Sequence, residues 1–512
     1  MNTALSEPNR RSFLGLGLAA GSSLLLAACG SGGAVGTGGS SADTLKWGWA
    51  LPTSWDPVTS SAGWDVHALS LVYAGLTQHD AQGNAVPALA ESWAYSEKGR
   101  RVTFKLRSGL KFSDGTALDA TAVKKSIERG RDAPKSLIAA QLADVKTVSA
   151  PDPTTVVIDL KSSNYQIPSL FAGKTGMVVN PAAFERNAAA LATKPAGAGP
   201  YTLTSYVENS QATLKRNPNY WDAASIKVAN FELFPLPDAA TVIAGLQSGR
   251  YNVAQIPGSQ VAAAKAAGLE VQVIPSLVVS VLDVNITKPP FDDPNAALAL
   301  KFAVDRAALL KTQQFGVGEV SYQPFPKGYV GYDPALEGIY AYDPAKARQL
   351  LAKSKYGIGA PVTITASAPG NLPQQLQAQL QAVGFKPTIE TIPQAEATQI
   401  IYIQHSKALA VDGFAGRDST AQTFQVLFGA KGLMNPGRTT SPELDAAVQK
   451  IVQTPLDDPK YPQVVQAATA AAVRTMPNVF LFTTPRILAH TKSVSPLPKD
   501  TVVQRFEGVT VR

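Results

Sequence analysis

Cysteine is almost absent from this chain: among 512 residues there is one, at position 29. With nothing to pair with it, no disulfide can form and stability must come from packing. Beyond residue 28 no apolar run approaches the ~20 residues that a membrane helix needs, so a multi-pass membrane protein is excluded. Charged residues make up only 16% of the chain, and the formal charge of +8 is spread along it without a basic block of five or six. That pattern offers no footprint for nucleic acid and reads as a mildly basic surface. The four histidines, His67, His79, His405 and His490, are scattered without metal-ligand spacing, so no metal site and no cofactor is expected. No G-x-S-x-G elbow, H-E-x-x-H helix or P-loop is present.

One set of short patterns does suggest an enzyme. Ser108-Gly-Leu-Lys111, Ser162-Ser-Asn164 and Lys174-Thr-Gly176 follow the order of an exported serine hydrolase of the penicillin-binding type. Their context speaks against it. The nucleophilic serine of such an enzyme must open a helix, whereas Ser108 falls in a turn between two strand patterns. Asn164 and Lys174 leave little room for the helices that would separate their motifs.

What is present begins with the leader. Arg10 and Arg11 precede the apolar residues 13–28, and Leu26-Ala27-Ala28 leads directly into Cys29. The segment resembles a bacterial lipoprotein signal with twin-arginine character, which implies removal of residues 1–28 and lipid on the Cys29 sulfur. Residues 30–41 (GSGGAVGTGGSS) cannot bury apolar area and read as part of a flexible tether over 29–42, with a reach of about 20 Å. The protein is therefore expected outside the cytoplasm, lipid-anchored to the outer face of the cell membrane or periplasmic.

The remainder holds 45% hydrophobic residues with 40 glycines and 37 prolines over the whole chain, a loop-rich globular composition of two or three domains. Short strands alternate with helices. Leu45–Trp49 alternates like a first strand, and Val102, Phe104 and Leu106 share one strand face before a helix capped near Asp119. Residues 361–365, 372–383 and 386–392 read as strand, helix, strand, a βαβ unit that predicts parallel pairing. The fold class is α/β or mixed α+β with more than one sheet, and ligands of such folds bind at strand carboxyl ends or between domains.

A series of phrases runs in order along the chain: Val72-Tyr73-Ala74-Gly75-Leu76-Thr77, Val86-Pro87-Ala88-Leu89-Ala90-Glu91-Ser92-Trp93, and Thr103–Thr116 with its Ser113-Asp114-Gly115 turn. Gly197-Ala198-Gly199-Pro200-Tyr201, Arg216-Asn217-Pro218-Asn219-Tyr220-Trp221, Leu246-Gln247-Ser248-Gly249, Pro289-Pro290-Phe291-Asp292-Asp293 and Lys301–Arg306 follow. Together they resemble the family 5 extracellular solute-binding proteins of ABC importers, the dipeptide, oligopeptide and nickel group. The resemblance implies a two-lobed periplasmic-binding-protein-like α/β fold with mixed sheets, a hinge and an inter-lobe cleft. One lobe would hold 43–280, with an inserted subdomain near 60–190, and take back 484–512; the other would hold 281–483. It implies no catalysis, capture of a peptide or peptide-like small solute, delivery to ABC permease subunits, and a monomer.

The resemblance also implies a ligand site. Peptide-binding members hold the ligand's amino group with an aspartate in the stretch matching residues 412–428. The best ungapped register puts Gly416 at that place, with Asp418 two residues on, and Arg417 suits an anionic group better than an ammonium. Trp49 and Leu51 at the end of the first strand, Trp64 at the start of the next helix, and Phe414 on the other lobe are candidate enclosing residues. Arg486, after the apolar strand that begins at Val479, is a further candidate anion contact.

Overall fold

The computed structural model describes residues 43–235, 238–367 and 370–512. The leader, Cys29 and the tether expected over 29–42 lie outside the described residues. From Ser41 onward the chain forms one compact unit, built on sheets of seven, five, four and two strands.

The seven-stranded sheet runs, in spatial order, Glu270–Ile274, Arg486–His490, Val253–Gln255, Thr44–Gly48, Asn230–Phe234, Gln211–Arg216 and Tyr201–Val207. Thr44–Gly48 lies parallel to both of its neighbours, with Leu45 opposite Phe231 and Trp47 opposite Leu233 and Val253. Such a strand is covered on both faces. On one side Leu45, Trp47, Phe231 and Leu488 enter the largest apolar cluster, and on the other Ala254, Ile487 and Ala489 pack against Val242 and Leu246. Trp47 is fully buried, stacked on Trp49 at 5.3 Å and edge-on to Phe506 at 4.9 Å between ring centroids. The four-stranded antiparallel sheet, Ala90–Ser96, Arg101–Leu106, Thr155–Leu160 and Val145–Asp152, joins the same cluster through Val102, Phe104, Val156 and Ile158. Asp119 caps the helix Ala120–Asp132 over this sheet by accepting from the Ala122 amide. Ser108 stands in the turn after Leu106, not at a helix start.

The five-stranded sheet orders Lys386–Thr391, Pro361–Ala366, Leu409–Phe414, Val279–Val284 and Val479–Thr483. The expected βαβ unit is here: Pro361–Ala366 and Lys386–Thr391 pair in parallel around the helix Asn371–Ala382. Alternation along the strands sends Val281, Ala410 and Phe480 to one apolar cluster and Leu282, Leu409 and Leu481 to another on the opposite face. Asp343 and Ser441 cap helices that open on Pro344 and Pro442, as their order in the sequence predicts.

Against this sheet four polar side chains are linked, three of them buried and Asp412 half-buried. Tyr402 Oη lies 2.6 Å from Asp283 Oδ2 and 2.5 Å from Asp412 Oδ2, and Asn478 Nδ2 donates to Asp283 Oδ1 at 2.8 Å. A phenol has one proton to give, so the second short contact needs a carboxyl proton. Burial first, and the Asp412 charge second, push the Asp283 carboxyl up to about 8.

Candidate functional site

The parallel strands of the seven-stranded sheet deliver their carboxyl ends to one edge, where Gly48 passes into Trp49. Trp49 is nearly buried, and its ring meets His67 edge-on at 4.9 Å. His67 Nδ1 accepts the Gln504 amide at 2.9 Å, which fixes that nitrogen without a proton. Burial, then the nearby Arg486 charge, hold His67 well below its ordinary range, so it is neutral. Arg486 opens the strand Arg486–His490, is 5% exposed, and donates through Nη2 to the Asp500 carbonyl. Its Nε is buried and has no partner among the described residues. Burial lowers this guanidinium to about 10, which leaves it charged at neutral pH. Leu51 is half-buried against the first core cluster. Trp64 is 56% exposed just before the helix Asp65–Val72.

The following loop carries a second polar group. Asp65 is buried and accepts from Thr53 Oγ1, from Ser60 Oγ at 2.7 Å and from the Ala62 amide at 3.3 Å. Its other oxygen, Oδ1, is buried without a partner among the described residues. Lys174 Nζ donates to the Ser60 carbonyl at 2.7 Å and to Ser60 Oγ at 3.3 Å. Burial lowers the Lys174 ammonium, and Asp65 and Asp418 oppose that shift.

The five-stranded side supplies the facing residues from the turn after Leu409–Phe414. Phe414 is wholly buried in the core beneath that turn, and the Arg417 guanidinium lies over its ring at 4.9 Å. Gly416 has φ +74°, and a methyl group there would overlap Leu277, so the turn needs glycine on both counts. Asp418 follows, with His79 Nε2 donating to its carbonyl at 3.0 Å. His79 belongs to the other side, on the strand Thr77–His79, and its Nδ1 is buried without a partner among the described residues. Burial, the largest cause, lowers His79 to about 4 and raises the Asp418 carboxyl to about 6; Lys174 and then Arg417 counter the latter shift. The Asp418 carboxylate rests directly on Gly173, where any Cβ would overlap it.

Beside Asp418 the two sides enclose a cavity of about 480 Å³, lined by Trp93, Tyr95 and Ser169 on one side and by Tyr329, Asp418 and Tyr461 on the other. The flank is closed by Tyr165 N donating to the Val452 carbonyl at 2.8 Å and by Tyr461 Oη donating to Gln166 Oε1 at 2.9 Å. A concave space between two sheet systems, polar at a few points and aromatic elsewhere, is suited to holding a small molecule.

The comparisons with known proteins converge on the same reading. Residues 84–435, more than half of the chain, match the family model described as bacterial extracellular solute-binding proteins, family 5, middle region. The chain belongs to that family. The glutathione-binding protein GsiB of Escherichia coli K12 is 28% identical over 379 residues, covering 73% of this chain and 72% of GsiB. Among solved structures, the periplasmic binding protein DppA of Helicobacter pylori, in complex with the peptide STSA, superposes with a TM-score of 0.78 at 22% identity, over 91% of this chain and 97% of DppA. AgaA of A. tumefaciens R10, in complex with agropinic acid, gives 0.76 at 24%, over 92% and 99%. The fold of this solute-binding protein is thus the two-lobed one of periplasmic binding proteins, and it is a binding protein, not an enzyme.

Of the residues singled out in the sequence, the structure groups Trp49 with Arg486 around His67, and Arg417 with Asp418 opposite Lys174. Phe414 supports Arg417 from beneath, and Leu51 and Trp64 flank the first strand's end without joining either group. Gly173, Lys174, His67, His79, Asp65 and Tyr329 were not anticipated. They come from separate elements, and only the K-T-G pattern drew attention to Lys174, for an unrelated chemistry.

Proposed function

We propose that this solute-binding protein is released from residues 1–28, held to the outer membrane face through lipid on Cys29, and captures a peptide-like solute for an ABC permease. Its lobes would be 43–280 with the return 484–512, and 281–483, moving about the crossings near 280 and 484. The ligand would carry an ammonium and one or more carboxylates: the ammonium toward Asp418, and the carboxylates toward Arg417, Lys174 and the unpartnered Nε of Arg486. The observation that carries this reading is the seating of the Asp418 carboxylate, from one sheet system, on Gly173 beside Lys174, from the other. A ligand bridging those groups gains contacts that exist only when the sides meet, which is the differential affinity that closure requires.

Native mass spectrometry of the purified protein, followed by denaturing release, identifies the solute; release of a purely apolar or sugar ligand would overturn the peptide-like reading. Arg417→Ala and Asp418→Ala should each weaken that ligand by about tenfold or more with the fold unchanged. Unaltered affinity in both would remove them from the site. The ionised Asp418 is the form that pairs with an ammonium, and its free value of about 6 sets the window. Affinity should therefore fall as pH drops from 7 to 5, and Asp418→Asn should flatten that dependence.

A further inference from the structure

The seven-stranded sheet separates two edges. Strands Glu270–Ile274, Val253–Gln255, Thr44–Gly48, Asn230–Phe234 and Tyr201–Val207 run in one direction, and Arg486–His490 and Gln211–Arg216 run against them. One edge therefore carries Trp49 and Arg486, the groups assigned above to the ligand side. The opposite edge carries Thr44, Asn230, Arg216 and His490. The polypeptide reaches the folded unit at Asp43, directly before Thr44, so residues 29–42 join it on the edge away from the ligand.

That far edge is rich in cations without acidic partners. Lys215 and Arg216 end one strand, Lys227 and Arg250 precede two others, Lys492 follows a fourth, and Arg512 donates its amide to the Ser493 carbonyl. All six side chains are exposed, and none takes part in an ion pair among the described residues. Few acids oppose them: Asp43, Glu270 and the terminal carboxylate stand at this edge, Asp222 lies in the connection between Arg216 and Lys227, and Glu507 is already paired with Arg505. A groove of about 660 Å³ opens where Lys492, Lys499 and Arg512 meet the outermost strand, Glu270–Val273. Neutral stability alone gives no reason to gather unpaired cations there.

We propose that this edge is a docking surface for the anionic headgroups of the membrane to which the tether leads. The argument has two parts. The edge's net positive charge complements an anionic bilayer, which attracts each nearby lysine or arginine. Residues 29–42 join the folded unit at this edge, so lipid on Cys29 would bring this edge, and not the opposite one, closest to the bilayer. Docking in this pose turns the cleft away from the bilayer while the solute is collected. The inference rests on the tethered reading above, but the surface chemistry is testable without the lipid.

The test uses residues 41–512, which form one compact unit. The fragment is floated with vesicles of phosphatidylcholine alone or with about 30% phosphatidylglycerol, at about 50 mM salt. Binding is expected only to the anionic vesicles, and the combined Lys215→Glu, Lys492→Glu, Arg512→Glu variant should lose it by about tenfold or more. The combined Lys311→Glu, Lys353→Glu, Lys386→Glu variant, of equal charge but on the five-stranded side, should lose far less. Equal loss in both variants, or no preference for anionic vesicles, would overturn the proposal. Incorporation of labelled lipid at Cys29 reports on the anchor separately, so the two readings fail distinguishably.

Discussion

Gly173→Val is expected to leave the protein folded and to weaken solute retention by about ten- to hundredfold. Gly173 has φ −101° and ψ −160°, an extended conformation that valine adopts freely, so the backbone does not require glycine here. Space does. A Cβ at this position would overlap the Asp418 carboxylate of the facing side. The three atoms nearest that Cβ all belong to Asp418, so parting the lobes relieves this overlap; with the lobes together the valine displaces Asp418 or props the cleft open. Overpacking of this kind costs roughly 1–3 kcal/mol, charged entirely to the closed state and therefore to binding. The check is the occupancy of co-purified ligand by native mass spectrometry, with thermal unfolding as the control. Full occupancy in the variant would show that Asp418 and Gly173 need not meet for binding.

Asp283→Asn is expected to change how stability depends on pH. In the native protein the Asp283 carboxyl is pushed up to about 8, whereas in the unfolded chain it titrates near its ordinary value of about 4. Between those values the folded state holds a proton that the unfolded state has released. Stability is therefore greatest below pH 4 for this group and declines as pH rises toward 8, by about 1.4 kcal/mol per pH unit. An asparagine can turn its oxygen to Asn478 and its amide to Tyr402, whose proton then serves Asp412, so every hydrogen bond survives. From pH 5 to 7 the wild type should lose about 3 kcal/mol relative to the variant in denaturant unfolding. Parallel curves for the two proteins would show that Asp283 is ionised in the fold.

Some of this was legible in the residues. Val102, Phe104 and Leu106 announce a half-buried strand, Asp119, Asp343 and Ser441 announce helix starts, and residues 361–392 announce a parallel pair, because each is a local pattern with a local cause. Sheet order was not legible. Arg486–His490 lies between Glu270–Ile274 and Val253–Gln255, more than two hundred residues away in sequence, and no periodicity within a strand names its neighbour. Arg417 and Asp418 could be singled out only because the family resemblance sets residues 412–428 in register with a ligand-holding stretch. Their counterparts could not, since Gly173 and Lys174 are ordinary residues until another sheet is pressed against them.

The sequence by itself determined the elements, the scarcity of chemistry suited to catalysis, and the family. Propensity, capping and pattern act over a few residues, and a run of phrases retains its order whatever the chain does in space. The tertiary structure decided which groups share a cavity, which charges lose their solvent, and which edge of the sheet the chain enters. Asp283, Asp418 and His79 differ from their ordinary behaviour because burial removes the water that would stabilise their charged forms. Burial arises from contacts between distant segments, and so it belongs to the fold and not to the letters.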